Sequence, residues 1–384
     1  MSGKLDPNGA MLHGKASGAT RRDTKVIRDN KPPSTPPPRA QALRRAVAGM
    51  FVLALMLVAA PAKARDLVVA LHDMLAPGSL RDALIRPFAD AAGMAVDVQS
   101  WGRGPPLRAR LEAQPDWDVV SLTGADLLAV CEAGLVEKLD WGALGGRDRL
   151  LPGGASDCGL GLGLPALVLA WDRDKLQGAP GWAEFGDVVK LPGRRGLRKQ
   201  ARGTLEIALM ADGVPPGEVY RTLRSDAGID RAFRKLEQLR PYVVWWQDEV
   251  EAARLLASGE VLMTSAPANT IAEANRQDAR NFTVQWAGAV TSQFALAIIR
   301  GTPNQAAALR LLAYAAEPAN QATLARATTI GPLARGALAP LEPEAQAMMA
   351  TTQAALAAAL PADEAFWRDN LLRLTQRFDA WLPR

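Results

Sequence analysis

Two histidines, two cysteines and no visible nucleophile–base pair limit the chemistry open to this 384-residue chain. Cys131 and Cys158 are the only cysteines, and His72 is the only histidine beyond residue 64. A catalytic thiol needs a base to take its proton, and a single histidine is thin provision for one. A structural zinc site wants four Cys or His ligands, which the sequence lacks. There is no G-x-S-x-G elbow, no H-E-x-x-H and no Walker-type phosphate loop. Gly161-x-Gly163-x-x-Ala166 imitates a dinucleotide fingerprint, but Pro165 falls inside it and an apolar run follows in place of a helix. It reads as a turn entering a buried strand. Glu249 and Glu251 are paired carboxylates beside a strand-to-helix turn, where charged groups are usually solvated. No catalytic residue, metal site or cofactor is expected, and the residues point to binding.

Charge distribution excludes a second class. The sequence pI is 9.4, yet residues 1–64 hold eleven Lys or Arg against three Asp, and the remaining residues carry a net charge of −3. A nucleic-acid face would concentrate its positive charge on the folded part, so no nucleic-acid partner is expected. The basic segment has the layout of an export signal. Arg44-Arg45 precedes an apolar run from Ala46 to Ala60, and Ala62-Lys63-Ala64 has the small-x-small form of a cleavage site. That run is shorter than the roughly twenty residues of a membrane span. Cleavage is expected after Ala64, with a disordered Pro-rich stretch ahead of the signal and a periplasmic product behind it. In that compartment Cys131 and Cys158 are expected to form a disulfide, worth about 3 kcal/mol.

The elements that must position a binding site follow from hydrophobic patterning. Short apolar runs alternate with amphipathic stretches, the signature of an α/β protein. Strands are expected at Leu67–Leu71, Ala95–Val98, Asp118–Leu122, Tyr242–Trp246, Val261–Ser265 and Phe294–Ile299. Helices are expected at Leu80–Ala92, Leu127–Ala133, Thr204–Ala211, Arg231–Leu239 and Ala252–Ser258, and the Ala-rich stretch from Ala354 to Leu360 also favours helix. Residues 193–200 read as a basic turn. In such units the residues just past strand ends line the ligand crevice.

Several segments resemble periplasmic solute-binding proteins of the spermidine/putrescine type, which feed ABC importers. They are Asp118-Val119-Val120, the stretch from Cys131-Glu132-Ala133-Gly134-Leu135 to Asp140-Trp141, Ser156-Asp157-Cys158-Gly159 and Leu169-Ala170-Trp171-Asp172. Further on come Pro192-Gly193-Arg194-Arg195-Gly196-Leu197-Arg198-Lys199, Ala208–Val214, Val244-Trp245-Trp246 and Met263-Thr264-Ser265-Ala266. These segments follow the family order from about residue 67 to 335. The resemblance implies a periplasmic binding protein type II fold, with two α/β lobes joined by a hinge of crossing strands and a ligand cleft between them. Residues 65–168 and about 292–345 would form lobe 1, about 169–291 lobe 2, and residues 346–384 helices packed across both. The implied partners are a small polar solute and an ABC permease in the inner membrane, with the receptor a monomer. Both cysteines fall where the resembling subgroup also has them.

A polyamine site needs carboxylates at its ends and aromatic walls. The family places acids in the loop matching Lys199 to Gly203, and here that loop has none. Asp73, with Glu249 or Glu251, could meet an ammonium, and Trp246 and Phe294 could form a wall. Lys199 or Arg202 facing the cleft would instead favour a carboxylate. The expected site therefore comprises His72, Asp73, Thr123, Lys199, Gln200, Trp246, Thr264, Asn269, Ser292 and Phe294. Putrescine or spermidine is the ligand the resemblance implies. The alternatives are a small anion, or a receptor that reports to a membrane sensor without transport.

Overall fold

The computed structural model describes residues 65–73, 77–102, 107–113 and 116–382. The expected leader and its cleavage after Ala64 lie outside these residues. The described chain forms two six-stranded mixed sheets of similar design.

The first sheet is built on β1 (Leu67–His72), β2 (Val96–Trp101) and β3 (Val119–Thr123). β1 lies between the other two and is parallel to both. β1 and β3 are almost wholly buried, as strands covered on both faces must be. β4 (Leu160–Leu164), β10 (Phe294–Ile298) and β11 (Gly331–Pro332) complete the order β11-β4-β10-β3-β1-β2. The second sheet repeats the plan. β6 (Arg195–Arg198), β7 (Val243–Trp246) and β8 (Met263–Pro267) are parallel, while β5 (Ala166–Asp172) and β9 (Phe282–Thr291) run antiparallel. β12 (Leu360–Pro361) closes the order β12-β9-β5-β8-β6-β7.

The chain passes between the sheets at Pro165, returns at Ser292–Gln293, and passes again between β11 and β12. The first two connections lie side by side, with the Ser292 amide donating to the Pro165 carbonyl at 3.3 Å. Small residues pack the junction, among them Ala166, Ala268, Ala289 and Ala350. This is a two-lobe α/β fold with a hinge of crossing strands.

Most expected elements appear within a few residues of their anticipated ends. Residues 193–200 differ, because a strand replaces half of the expected turn. The reason is Arg195, which is fully buried and donates to the carbonyls of Phe185 (2.8 Å), Gly193 (2.7 Å) and Leu191 (2.6 Å). A guanidinium so satisfied by main chain fits inside a lobe despite its charge. β9 was not anticipated. The cysteines form a disulfide that joins α1 (Gly124–Glu132) to the turn before β4.

Candidate ligand-binding cleft

Strand ends from both lobes converge on a cleft of about 350 Å³ at the crossing. From the first lobe comes Thr123, which caps α1. Its hydroxyl donates to the Asp126 carboxylate at 2.8 Å and accepts from the Asp126 amide at 3.4 Å. Beside it His72 ends β1, edge-on to Trp101 with ring centroids 4.4 Å apart. Burial holds the His72 imidazole below its ordinary value, against the opposing pull of Asp126 and Asp73.

The second lobe supplies the cations. Arg198 leaves the end of β6 with its guanidinium 5.6 Å from the centre of the Trp246 ring and 3.7 Å from Glu249. Burial lowers the Arg198 value, and it raises that of Glu249 despite the nearby guanidinium. Glu249 opens α3 (Glu249–Ser258), whose cap is Asp248. Four residues beyond Arg198 the chain kinks into α2 (Ala201–Ala211). Arg202 has ψ near 132° and Gly203 has φ near 84°, a conformation that glycine adopts without strain. The Gly203 amide donates to Glu206 at 2.8 Å, which holds the kink. Glu206 is fully buried and also accepts from Tyr220 (2.8 Å) and Trp367 (2.7 Å). Burial pushes its carboxyl up against the pull of these donors.

The kink aims Arg202 at the cleft, where it donates to Ser292 at 3.1 Å and to Glu364 at 2.7 Å. Glu364 belongs to α4 (Glu364–Trp381), whose Leu371 lines the cleft. The floor is the crossing itself, with Pro165, Ala166, Leu167, Val290, Ser292 and Gln293. The Gln293 amide oxygen is buried without a partner among the described residues.

Of the ten residues expected at the cleft, His72, Thr123, Gln200 and Ser292 line it. Asp73 is exposed in the turn after β1, and Lys199 points to solvent one residue past Arg198. Trp246 is fully buried beneath Arg198. Thr264 is buried, its hydroxyl bonded to the Ser265 carbonyl at 2.8 Å. Phe294 is core, packed so closely over Gly163 that a Cβ there would lie 2.7 Å from its ring. Asn269 lines a separate recess of about 610 Å³, where Arg276 pairs with Glu273. Sequence reasoning missed Arg198, Gln293, Glu206 and Glu364. The place of Arg198 on the basic run was visible, but its direction depends on strand register.

Over residues 83–357 the sequence matches the family described as bacterial extracellular solute-binding protein. The chain belongs to that family. It is 35% identical over 329 residues to the gamma-aminobutyric acid-binding protein of Pseudomonas aeruginosa, a match covering 85% of this chain and 93% of that one. Among solved structures, a periplasmic binding protein from A. tumefaciens B6 in complex with glucopine matches at 28% identity and TM-score 0.71, covering 82% of this chain and 99% of that one. The Atu4243-GABA receptor matches at 26% identity and TM-score 0.72, covering 82% and 97%. This solute-binding protein is thus the substrate-binding component of an ABC importer, in line with its similarity to a Bradyrhizobium japonicum USDA 110 protein described as an ABC transporter substrate-binding protein. None of these relatives is described as binding a polyamine. Among the described residues no helix is long and apolar enough to cross a membrane, and no group of His, Cys, Asp and Glu could hold a metal ion.

Proposed function

We propose that the protein is a periplasmic receptor for a small amino acid whose amine stands away from its carboxylate, of the gamma-aminobutyric acid kind. The observation that carries this is the Arg198–Glu249 pair. At 3.7 Å the two groups attract but do not hydrogen-bond. The guanidinium keeps its donors for a ligand carboxylate, and Glu249 keeps its acceptors for an ammonium. Asp126 across the cleft and the orphaned Gln293 oxygen add acceptors for the cationic end. Ala125, Ala166, Leu167, Val290 and Leu371 give the apolar lining that a short methylene chain needs. The described ligands of two relatives agree with this chemistry.

A diamine fits worse. It brings two positive charges to a cleft that already holds Arg198, and Glu249 beside that guanidinium can offset only one ammonium. The polyamine specificity implied by the family resemblance therefore gives way to a zwitterion. Capture between the lobes would close them by hinge rotation at the crossing, and the closed form would hand the solute to the permease.

A melting screen tests this. A ligand at a hundredfold excess over its dissociation constant stabilises its receptor by about 2.7 kcal/mol. Gamma-aminobutyric acid and 5-aminovalerate are expected to raise the melting temperature, and putrescine and spermidine to leave it in place. A shift with the amines alone would refute the assignment.

A further inference from the structure

The cleft has two guanidinium groups, and only one of them is hydrogen-bonded to a carboxylate of the protein itself. Arg202 is engaged from the C-terminal helix in a closed triangle. Its guanidinium donates to Glu364 Oε2 at 2.7 Å and to Ser292 Oγ at 3.1 Å, and the Ser292 hydroxyl donates to Glu364 Oε1 at 2.7 Å. The side chains of Arg202 and Glu364 are only 17% and 19% exposed, so water does little to loosen the pair. Glu364 is also hemmed in from the first lobe, because a Cβ on Gly124 would lie 2.6 Å from its carboxyl carbon. Three residues further along the same helix, Trp367 donates to Glu206, which holds the Gly203 amide and with it the kink that presents Arg202.

We propose that Glu364 is a specificity-determining residue: it occupies Arg202 with an internal carboxylate, so that the cleft accepts a ligand with one carboxylate and refuses one with two. The inference deepens the proposed function and rests on it for the ligand's first carboxylate at Arg198. Glu364 does not line the cleft, so its effect on a ligand passes through the charge it cancels. Removing that charge while keeping the side-chain shape would leave a guanidinium at the cleft wall with no counter-ion, and a second ligand carboxylate would take the vacated donors. A ligand with two carboxylates and no amine, such as glutarate, reports this directly.

Calorimetric titration of the purified protein with glutarate and with gamma-aminobutyric acid is the test, on wild type, E364Q, E364A and the double variant R202Q/E364Q, with melting curves for each. Wild type is expected to bind glutarate more weakly than gamma-aminobutyric acid. In E364Q the glutarate affinity should rise about tenfold, the scale of one charge-assisted hydrogen bond. E364A should show the same rise, and the double variant should lose it. Glutarate binding wild type as tightly as gamma-aminobutyric acid would overturn the inference without any variant. So would unchanged glutarate affinity in both folded single variants, or a gain that persists without Arg202. Failure of wild type to bind gamma-aminobutyric acid would overturn the proposed function instead. The glutarate comparison between wild type and variants would still read the internal carboxylate.

Discussion

Arg195 and Arg198 stand on one four-residue strand and have opposite fates. Arg195 is sealed inside its lobe, and burial brings its pKa down to about 10, with Asp187 the opposing charge. Its donors go to three main-chain carbonyls, of which that of Phe185 is buried. Arg195→Gln is expected to cost about 3 kcal/mol, because a shorter neutral amide leaves the buried Phe185 carbonyl without its donor and a gap where the guanidinium was sealed in. Urea unfolding measures it. Arg198→Gln is expected to leave unfolding nearly unchanged and to weaken gamma-aminobutyric acid binding about tenfold or more. Calorimetric titration reads that loss. The basic run was plain in the sequence, but the split of roles within it was not. Successive strand residues point to opposite faces, so a one-residue difference in register separates Arg198 in the cleft from Lys199 in solvent. Thr264 and Phe294 show the same limit. Both were placed close to the site along the chain, and both face the core.

At the scale of elements, the C-terminal helix ties the molecule together. Trp367, Leu374 and Phe378 are fully buried in the core of the second lobe. One residue past Trp367, Arg368 reaches Glu132 of α1 in the first lobe at 2.5 Å. Trp367→Ala is expected to destabilise the protein by about 3–5 kcal/mol through the cavity it leaves. Trp367→Phe fills most of that space but withdraws a donor from the buried Glu206 carboxyl, so a loss of about 1–2 kcal/mol is expected. Chemical denaturation of the pair separates packing from hydrogen bonding. Strands with continuous apolar runs, such as β1 and β3, were legible because burial on both faces leaves no other reading. β9 was not. It carries Thr283 and Gln285 in its first half, and Gly288 has a φ near 71°. Its pairing with β5 also shifts register between Leu167 and Leu169. The break hides only the second half, because Phe282-Thr283-Val284-Gln285-Trp286 alternates apolar and polar residues and could have been read as a strand.

For the whole molecule, the residue patterning gave the α/β class, and the two-lobe plan came from the family resemblance. Which connections cross between the lobes was carried only by the family resemblance, since no local pattern marks Pro165 or Ser292 as hinge positions. Global stability should respond to pH through the cleft. His72 has a folded value below its ordinary 6.5, so folding favours the neutral ring. Its contribution is complete above the unfolded value and is lost as pH falls through the folded one. Unfolding free energy is expected to fall between about pH 7 and pH 5, and to fall less in His72→Asn. Equal slopes for the two proteins would remove His72 as the cause.

The dependence of the second lobe on this one helix bears on biosynthesis. Residues 364–381 are made after every strand of both sheets, and they supply the aromatic side chains that fill the second lobe and a contact to the first. A product that stops before residue 364 would therefore display Tyr220, Phe233 and Trp245 without the helix that packs against them. Such a chain is open to proteases and sticky to chaperones, whereas the finished chain hides the same surface. The fold thus labels any copy that lacks residues 364–381.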